Sequence, residues 1–305
     1  MSGTILTWIF YALIAVFVVA FVTRTVRLAR LPIHLRWELA PVPHEKGKGH
    51  YGGSFFEEFE WWTKPRERSL TAELAYMFQE VIFLKSVHEN NRRLWWLSFP
   101  FHFGMYLLVA AAPLMLLGSV VGQSEAFGSI WSVLARVIPI LAGLGFGLGA
   151  LGALGLLVIR LLDPKMKVVT TPASLFNLIL LLAVFSSGGY ALLGSGGFAA
   201  GMLGFITGLA TASTAAAAPP AMTVHILLAL VLLAYLPFTP MMHFVAKYFT
   251  YHQVRWDDEP MTPGSRMAGE VKELLGQTVT WSAPHLRADG TKNWVDIATE
   301  VERDE

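Results

Sequence analysis

Nine histidines are the residues most able to do chemistry in this chain: His34, His44, His50, His88, His102, His225, His243, His252 and His285. Imidazole ligates metals and exchanges protons near neutral pH. Cysteine is absent, which excludes disulfides, thiolate zinc sites and thiolate-held iron–sulfur clusters in this chain. Three histidines fall inside long apolar runs: His102 in SFPFHFGMYLL, and His225 and His243 in VHILLALVLLAYLPFTPMMHFVAKY. Ionisable groups at membrane depth are costly and are functional candidates by default. Read as one helix, positions 225 and 243 are about five whole turns apart, on one face and about 27 Å along the axis. Pro237 and Pro240 between them make that phase approximate.

Haem b takes two axial ligands, and imidazole is a usual one. His102 lies shortly after the start of its run at Leu94, and His243 near the end of its own. The two therefore match in depth on helices of opposite direction, and a His102–haem–His243 sandwich is expected. Phe99, Phe101, Phe103 and Gly104 would flank one ligand, and Met241, Met242 and Phe244 the other. Taken alone, those neighbours read as ordinary lipid or core packing, and a metal-free hydrogen-bonded pair is the alternative for the histidines. His225 has two candidate roles, ligand to a second haem or proton-handling residue at a quinone site. In VAAAPLMLLGSVV only Met115 can ligate iron, and it falls on a different face from His102. A second route pairs His88 with His243 and His102 with His225. It uses the near-common face of positions 88 and 102, but His88 sits in the polar run KSVHENNRR.

The elements that position these residues are membrane spans. Of 305 residues 54% are hydrophobic and only 15% charged, and the mean hydropathy is +0.51. A soluble domain is typically about a quarter charged. Five runs reach the roughly 20 residues a bilayer requires: about 4–23, 94–121, 137–162, 172–193 and 221–248. The expected fold is an all-α membrane protein with five transmembrane helices. Basic residues cluster after the first run (RTVRLARLPIHLR), between the third and fourth (RLLDPKMK) and after the fifth (Lys247, Arg255), while Val168–Ala246 holds no charge. The positive-inside rule then places the N-terminus outside and the C-terminus in the cytoplasm. The first run is too long, and too poor in preceding positive charge, for a cleaved signal peptide.

Four parts result: 1–23, a first transmembrane helix; 24–93, a cytoplasmic loop; 94–248, a four-helix haem-binding region; and 249–305, a cytoplasmic tail. The loop holds APVPHEKGKGHYGG, the aromatic-acidic FFEEFEWW, and SLTAELAYMFQEVIFLKSV. The last begins on Ser and Thr cap candidates and repeats apolar residues at helical spacing. It reads as an amphipathic helix at the membrane surface or under a partner subunit. The tail is too short for a core of its own and is expected to dock. The apolar connection GSGGFAAGMLGFITGLATASTAAAAPP is expected along the outer interface. Gly147, Gly149 and Gly152 spell GxGxxG, but inside a span and after no strand, so close helix packing is the reading. No nucleic-acid partner is expected.

This pattern resembles the gamma subunit family of respiratory nitrate reductase, membrane cytochromes b with five spans and an external N-terminus. That family carries paired histidines at the spacing of His225 and His243, and an aromatic–His–x–Gly motif matched by Phe101–Gly104. Its further histidine on the second span falls here on Ala112, so the resemblance supplies one haem directly and leaves the second open. The long first loop, FQEVIFLKS and KYFTYHQVRWDDEP are similar to the cytochrome b subunits of heterodisulfide-reductase-like complexes, including the dissimilatory sulfite reductase-linked one. The resemblance implies an electron-transfer subunit in the cell (inner) membrane. It would work between quinone, of the menaquinone class, and a cytoplasmic iron–sulfur subunit within a larger respiratory complex. A haem-free quinone-binding anchor is the main alternative. A small transporter or assembly factor is a third, though five unequal spans lack the repeat symmetry of transporters.

Overall fold

The computed structural model describes residues 3–31, 59–60, 69–121, 128–194, 198–210, 218–249, 262–283 and 286–300. Five helices are long and apolar enough to cross a membrane: Gly3–Ala29, Arg92–Ser119, Gly128–Leu162, Pro172–Gly194 and Pro220–Phe238. The elements run α1 (Gly3–Ala29), α2 (Leu70–Ile82), α3 (Lys85–Asn90), α4 (Arg92–Val121), α5 (Gly128–Leu162), α6 (Pro164–Val168), α7 (Pro172–Gly194), α8 (Phe198–Ala210), α9 (Pro220–Tyr235), α10 (His243–Lys247), α11 (Arg266–Leu275) and α12 (Trp294–Thr299). Contacts divide the chain into two units, Met1–Phe21 with Phe78–Pro240, and Val22–Met77 with Met241–Glu305.

In the first unit α4, α5, α7 and α9 pack in series. The glycines of α5 set the first of these interfaces. A Cβ on Gly152 would lie 2.5 Å from the Phe101 backbone nitrogen, and one on Gly104 would lie 2.5 Å from that of Gly149. Gly145 and Gly155 receive the side chains of Leu108 and Leu97. The GxGxxG reading as helix packing therefore holds at Gly149 and Gly152, where the α4 backbone and the Phe185 ring press against α5. Arg93 pairs with Asp163 at 2.9 Å, which brings the start of α4 to the end of α5. One end of the unit thus gathers Arg92, Arg93, Arg160, Lys165 and Lys167.

The connection between the fourth and fifth spans contains a helix that packs against the bundle. α8 contacts α4 and α5, its Phe205 meets Phe10 of α1 edge-on at 5.9 Å, and Tyr11 donates to the Leu209 carbonyl at 2.7 Å. Thirteen uncharged residues are too few to span but enough to cover neighbouring helices.

The fifth apolar run differs from the expected single helix. α9 ends at Tyr235, a 3-10 turn covers Leu236–Phe238, Thr239 is extended (φ −122°, ψ 167°), and a second 3-10 turn covers Pro240–Met242 before α10. Pro237 and Pro240 each lack the N–H that would continue the ladder, and their rings clash with the preceding turn. The first span also runs to Ala29, past the expected limit near residue 23.

In the second unit, Ser265 caps α11 by accepting from the Ala268 amide at 3.2 Å, and Asn293 and Asp296 form a capping box on α12. The Asp289–Gly290 turn (Gly290 φ 83°) joins short bridges at Thr278–Asn293 and Ala283–Leu286. Hydrogen bonds from the Thr291 hydroxyl, then from the Thr291 and Lys292 amides, hold the Asp289 carboxyl down at about 2. In the segment before α3, Ser69 accepts from the Ala72 amide at 3.3 Å, so the expected cap is the residue that starts α2. Most of 24–69, including APVPHEKGKGHYGG, lies outside the described residues, as do His34, His44, His50, His252 and His285.

Candidate functional site

His102 sits half-buried on α4, beside the interface residue Phe101. Its Nδ1 lies 2.7 Å from the Ser98 carbonyl oxygen, one turn back, and 3.3 Å from Ser98 Oγ. A carbonyl only accepts, so Nδ1 carries the hydrogen and donates it. In the neutral ring the lone pair for a metal is then on Nε2. Metal-bound histidines are commonly oriented in this way by a partner on the other ring nitrogen.

An aromatic stripe runs along the same side of α4. Trp95 stacks on Phe99 at 4.9 Å and Phe99 on Phe103 at 5.6 Å, while the rings of His102 and Tyr106 lie 6.4 Å apart. Helical spacing puts Trp95, His102 and Tyr106 on one face. The end of α2 is fastened to this stripe. Trp95 Nε1 donates to the Phe83 carbonyl at 2.8 Å, and Tyr106 donates to the Val81 carbonyl at 2.6 Å. Carbonyls in a helix's last turn lack partners within the helix, and these two side chains serve that end. Buried Glu80 accepts from the Ser86 amide at 3.1 Å, across the turn where Leu84 takes a left-handed φ of 51°.

His88 and His102 do not share a helix. α3 ends at Asn90 and α4 starts at Arg92, so the face relation expected from their spacing is lost at Asn91. His88 is half-buried and meets the Trp95 ring edge-on at 4.9 Å, while the polar Ser86, Glu89, Asn90, Asn91, Arg92 and Arg93 of the same run are exposed.

His225 is enclosed by two neighbouring helices and is only 7% exposed. Its Nδ1 lies 3.2 Å from Ser187 Oγ on α7, and that hydroxyl donates to the Val184 carbonyl at 3.0 Å. With its hydrogen committed, Ser187 Oγ accepts from His225 Nδ1–H, and Nε2 again keeps the lone pair. Phe146 of α5 meets the imidazole edge-on at 5.1 Å. A Cβ on Gly188 would run into the Phe146 ring and lie 2.8 Å from His225 Cε1, so a larger residue on this third wall would have to displace both rings.

Met115 is partly buried with Leu114 and Trp131 against Leu134 and Ile138, which assigns it to packing. Ala112 is exposed. His243 opens α10 and is exposed. It follows the break at Pro237 and Pro240, so the five-turn relation between His225 and His243 does not carry over. Three polar groups were not anticipated: the Ser98 carbonyl, Ser187, and Asn177 of α7. Asn177 is 9% exposed, and its Oδ1 has no hydrogen-bond partner among the described residues. The only visible signal in the sequence was a lone amide in the otherwise apolar LFNLILLL.

The profile of the nitrate reductase gamma subunit family matches residues 85–257, from α3 to beyond α10. A search of curated proteins gives no match, and a search of solved structures gives none either. The matched segment is more than half of the 305 residues and contains His88, His102, His225 and His243. On that match, the chain belongs to the nitrate reductase gamma subunit family.

Proposed function

We propose that this chain is the membrane cytochrome b subunit of a respiratory oxidoreductase. It passes electrons between a quinol of the menaquinol class and a cytoplasmic iron–sulfur subunit. The observation that carries the reading is the His102 tautomer, in which a Ser98 carbonyl takes the Nδ1 hydrogen and leaves the Nε2 lone pair for iron. His102 and His243 are the proposed axial ligands of haem b, which when bound supplies a one-electron carrier. His225 offers an Nε2 lone pair of the same kind. It serves either a second haem or a quinol, from which it would accept a proton. With Ala112 where the family pattern would supply another histidine, a second haem needs a ligand from elsewhere.

The basic end formed by Arg92, Arg93, Arg160, Lys165 and Lys167 is read as the cytoplasmic side, with the N-terminus outside and the protein in the cell membrane. The iron–sulfur clusters are placed in a partner because this chain has no cysteine. The amphipathic α2 and the tail are the proposed docking surfaces, within a complex of further subunits. Kinship with the heterodisulfide-reductase-like subunits rests on the long first loop, FQEVIFLKS and KYFTYHQVRWDDEP.

A reduced-minus-oxidised spectrum of the purified chain tests the proposal. A b-type alpha band that is present in the wild type and absent in His102→Ala is expected. No such band in the wild type would leave a haem-free quinone-binding anchor as the better reading. Haem stoichiometry then decides His225, because two haems per chain exclude a role limited to quinone.

A further inference from the structure

The buried stripe of α7 carries Asn177, Leu181, Val184, Gly188 and Ala191. At helical spacing Asn177 and Gly188 share one face, about three turns apart. The His225 cradle is at one level of this stripe, and Asn177 is at another, five residues from the start of α7 at the basic end of the unit. Its Oδ1 is buried and has no donor among the described residues. Buried acceptors are nearly always paired, because desolvation without a hydrogen bond is costly. Beside it, Phe176 meets Tyr235 edge-on at 5.5 Å, which brings the end of α9 to the same level. There the fifth span stops being helical: Tyr235 is its last α-helical residue, and Pro237 sits in the turn that follows. Irregular backbone at membrane depth is tolerated where it is buried in protein or lines a cavity.

We infer that Asn177 is the polar contact of a binding site for a neutral hydroxyl-bearing ring, a quinol headgroup, between α7 and the end of α9. This rests on the quinol-linked reading above and gives it a location. The missing partner must complete a side-chain amide, giving a hydrogen to Oδ1 as it is placed or accepting one from Nδ2 with the amide turned over. An uncharged partner suits the space between α7 and α9, since neither helix contains a lysine or arginine and the cations at this end of the unit are on α4, α5 and α6. A quinol hydroxyl, which both donates and accepts, satisfies both conditions, and the Phe176–Tyr235 ring pair brings apolar surface to the same level of α7.

The test is anaerobic titration of the purified full-length chain with menadiol, followed by calorimetry, for the wild type and Asn177→Leu. Leucine has a similar volume and removes the polar group, so the variant keeps or gains thermal stability. The expected result is a dissociation constant for menadiol raised about five- to tenfold, the loss of one hydrogen bond, with any alpha band unchanged. Equal affinity in both proteins overturns the inference and leaves an interior water as the partner. An altered haem content or potential with unaltered menadiol affinity also overturns it and assigns Asn177 to a protonated haem propionate. A menadiol affinity that falls in Asn177→Leu, in a chain that shows no alpha band, keeps this site and removes the haem reading. A wild type that binds no menadiol removes the site whatever its spectrum.

Discussion

His102 and His225 reach the same chemical state by different routes. Each donates from Nδ1 and keeps its lone pair on Nε2. For His102 the acceptor is a backbone carbonyl of its own helix, one turn back. For His225 it is a side chain on another helix, Ser187, itself oriented by the Val184 carbonyl. The surrounding packing differs in the same sense. Next to His102, α4 meets α5 backbone to backbone at Gly104, Gly149 and Gly152. Next to His225, the contacts are between side chains, the Phe146 ring and the imidazole closing over Gly188. A site built on its own backbone persists as long as the helix does. A site built from three helices depends on each neighbour.

The sharpest way to break this contrast is at the glycines. Gly104→Ala places a methyl 2.5 Å from the Gly149 backbone nitrogen and 2.7 Å from the Gly145 carbonyl. Backbone on a packed helix cannot step aside, so α4 and α5 must separate. A loss of about 3 kcal/mol or more is expected, at or above the usual overpacking range. Equilibrium unfolding in mixed micelles measures it. Gly188→Ala meets the Phe146 ring and His225 Cε1, and both can rotate. About 1–2 kcal/mol is expected in the same measurement, with the disturbance confined to His225. Equal costs at the two positions would show that both sites are built alike.

Much of this was legible in the sequence, and its limits have physical causes. Apolar runs mark spans because the bilayer demands length, and all five begin or end close to where they were expected, the second and fourth at both limits. Glycine packing was legible because only glycine permits backbones to approach so closely. The continuity of the fifth run was not, because hydropathy is blind to Pro237 and Pro240 breaking the ladder within an apolar run. The same break removed the facing argument for His225 and His243, and the turn at Asn91 removed it for His88 and His102. Ser187 and Asn177 were missed because a single small polar residue in a span declares no partner until the neighbouring helix is in place.

Ser187→Ala sharpens the comparison further. It removes the hydroxyl acceptor for His225 Nδ1–H inside a closed cradle and leaves the Val184 carbonyl as the acceptor beside the ring, and about 1 kcal/mol of stability is expected to go with it. Ring-nitrogen chemical shifts of labelled histidine should also show His225 losing its single tautomer. Ser187→Thr, which restores a hydroxyl, should recover that signature if the methyl is accommodated. Retention of one tautomer in the alanine variant would mean that the cradle alone orients the ring.

The smallest effect is expected at Ser98, and its smallness is informative. Two atoms of this residue approach His102 Nδ1, the carbonyl oxygen at 2.7 Å and the hydroxyl at 3.3 Å. One N–H has one hydrogen, and the shorter contact to the stronger acceptor takes most of it. The carbonyl stays when the side chain is removed, because every residue in the helix has one. Ser98→Ala should therefore cost less than about 0.5 kcal/mol, within the range of substitutions that remove no needed interaction. The His102 nitrogen shifts should stay those of the Nδ1–H tautomer. A shift toward mixed tautomers would show that the hydroxyl, not the backbone, holds the ring. His102 would then depend on a side chain as His225 does, and the difference between the two sites would reduce to whether that side chain lies on the same helix or the next.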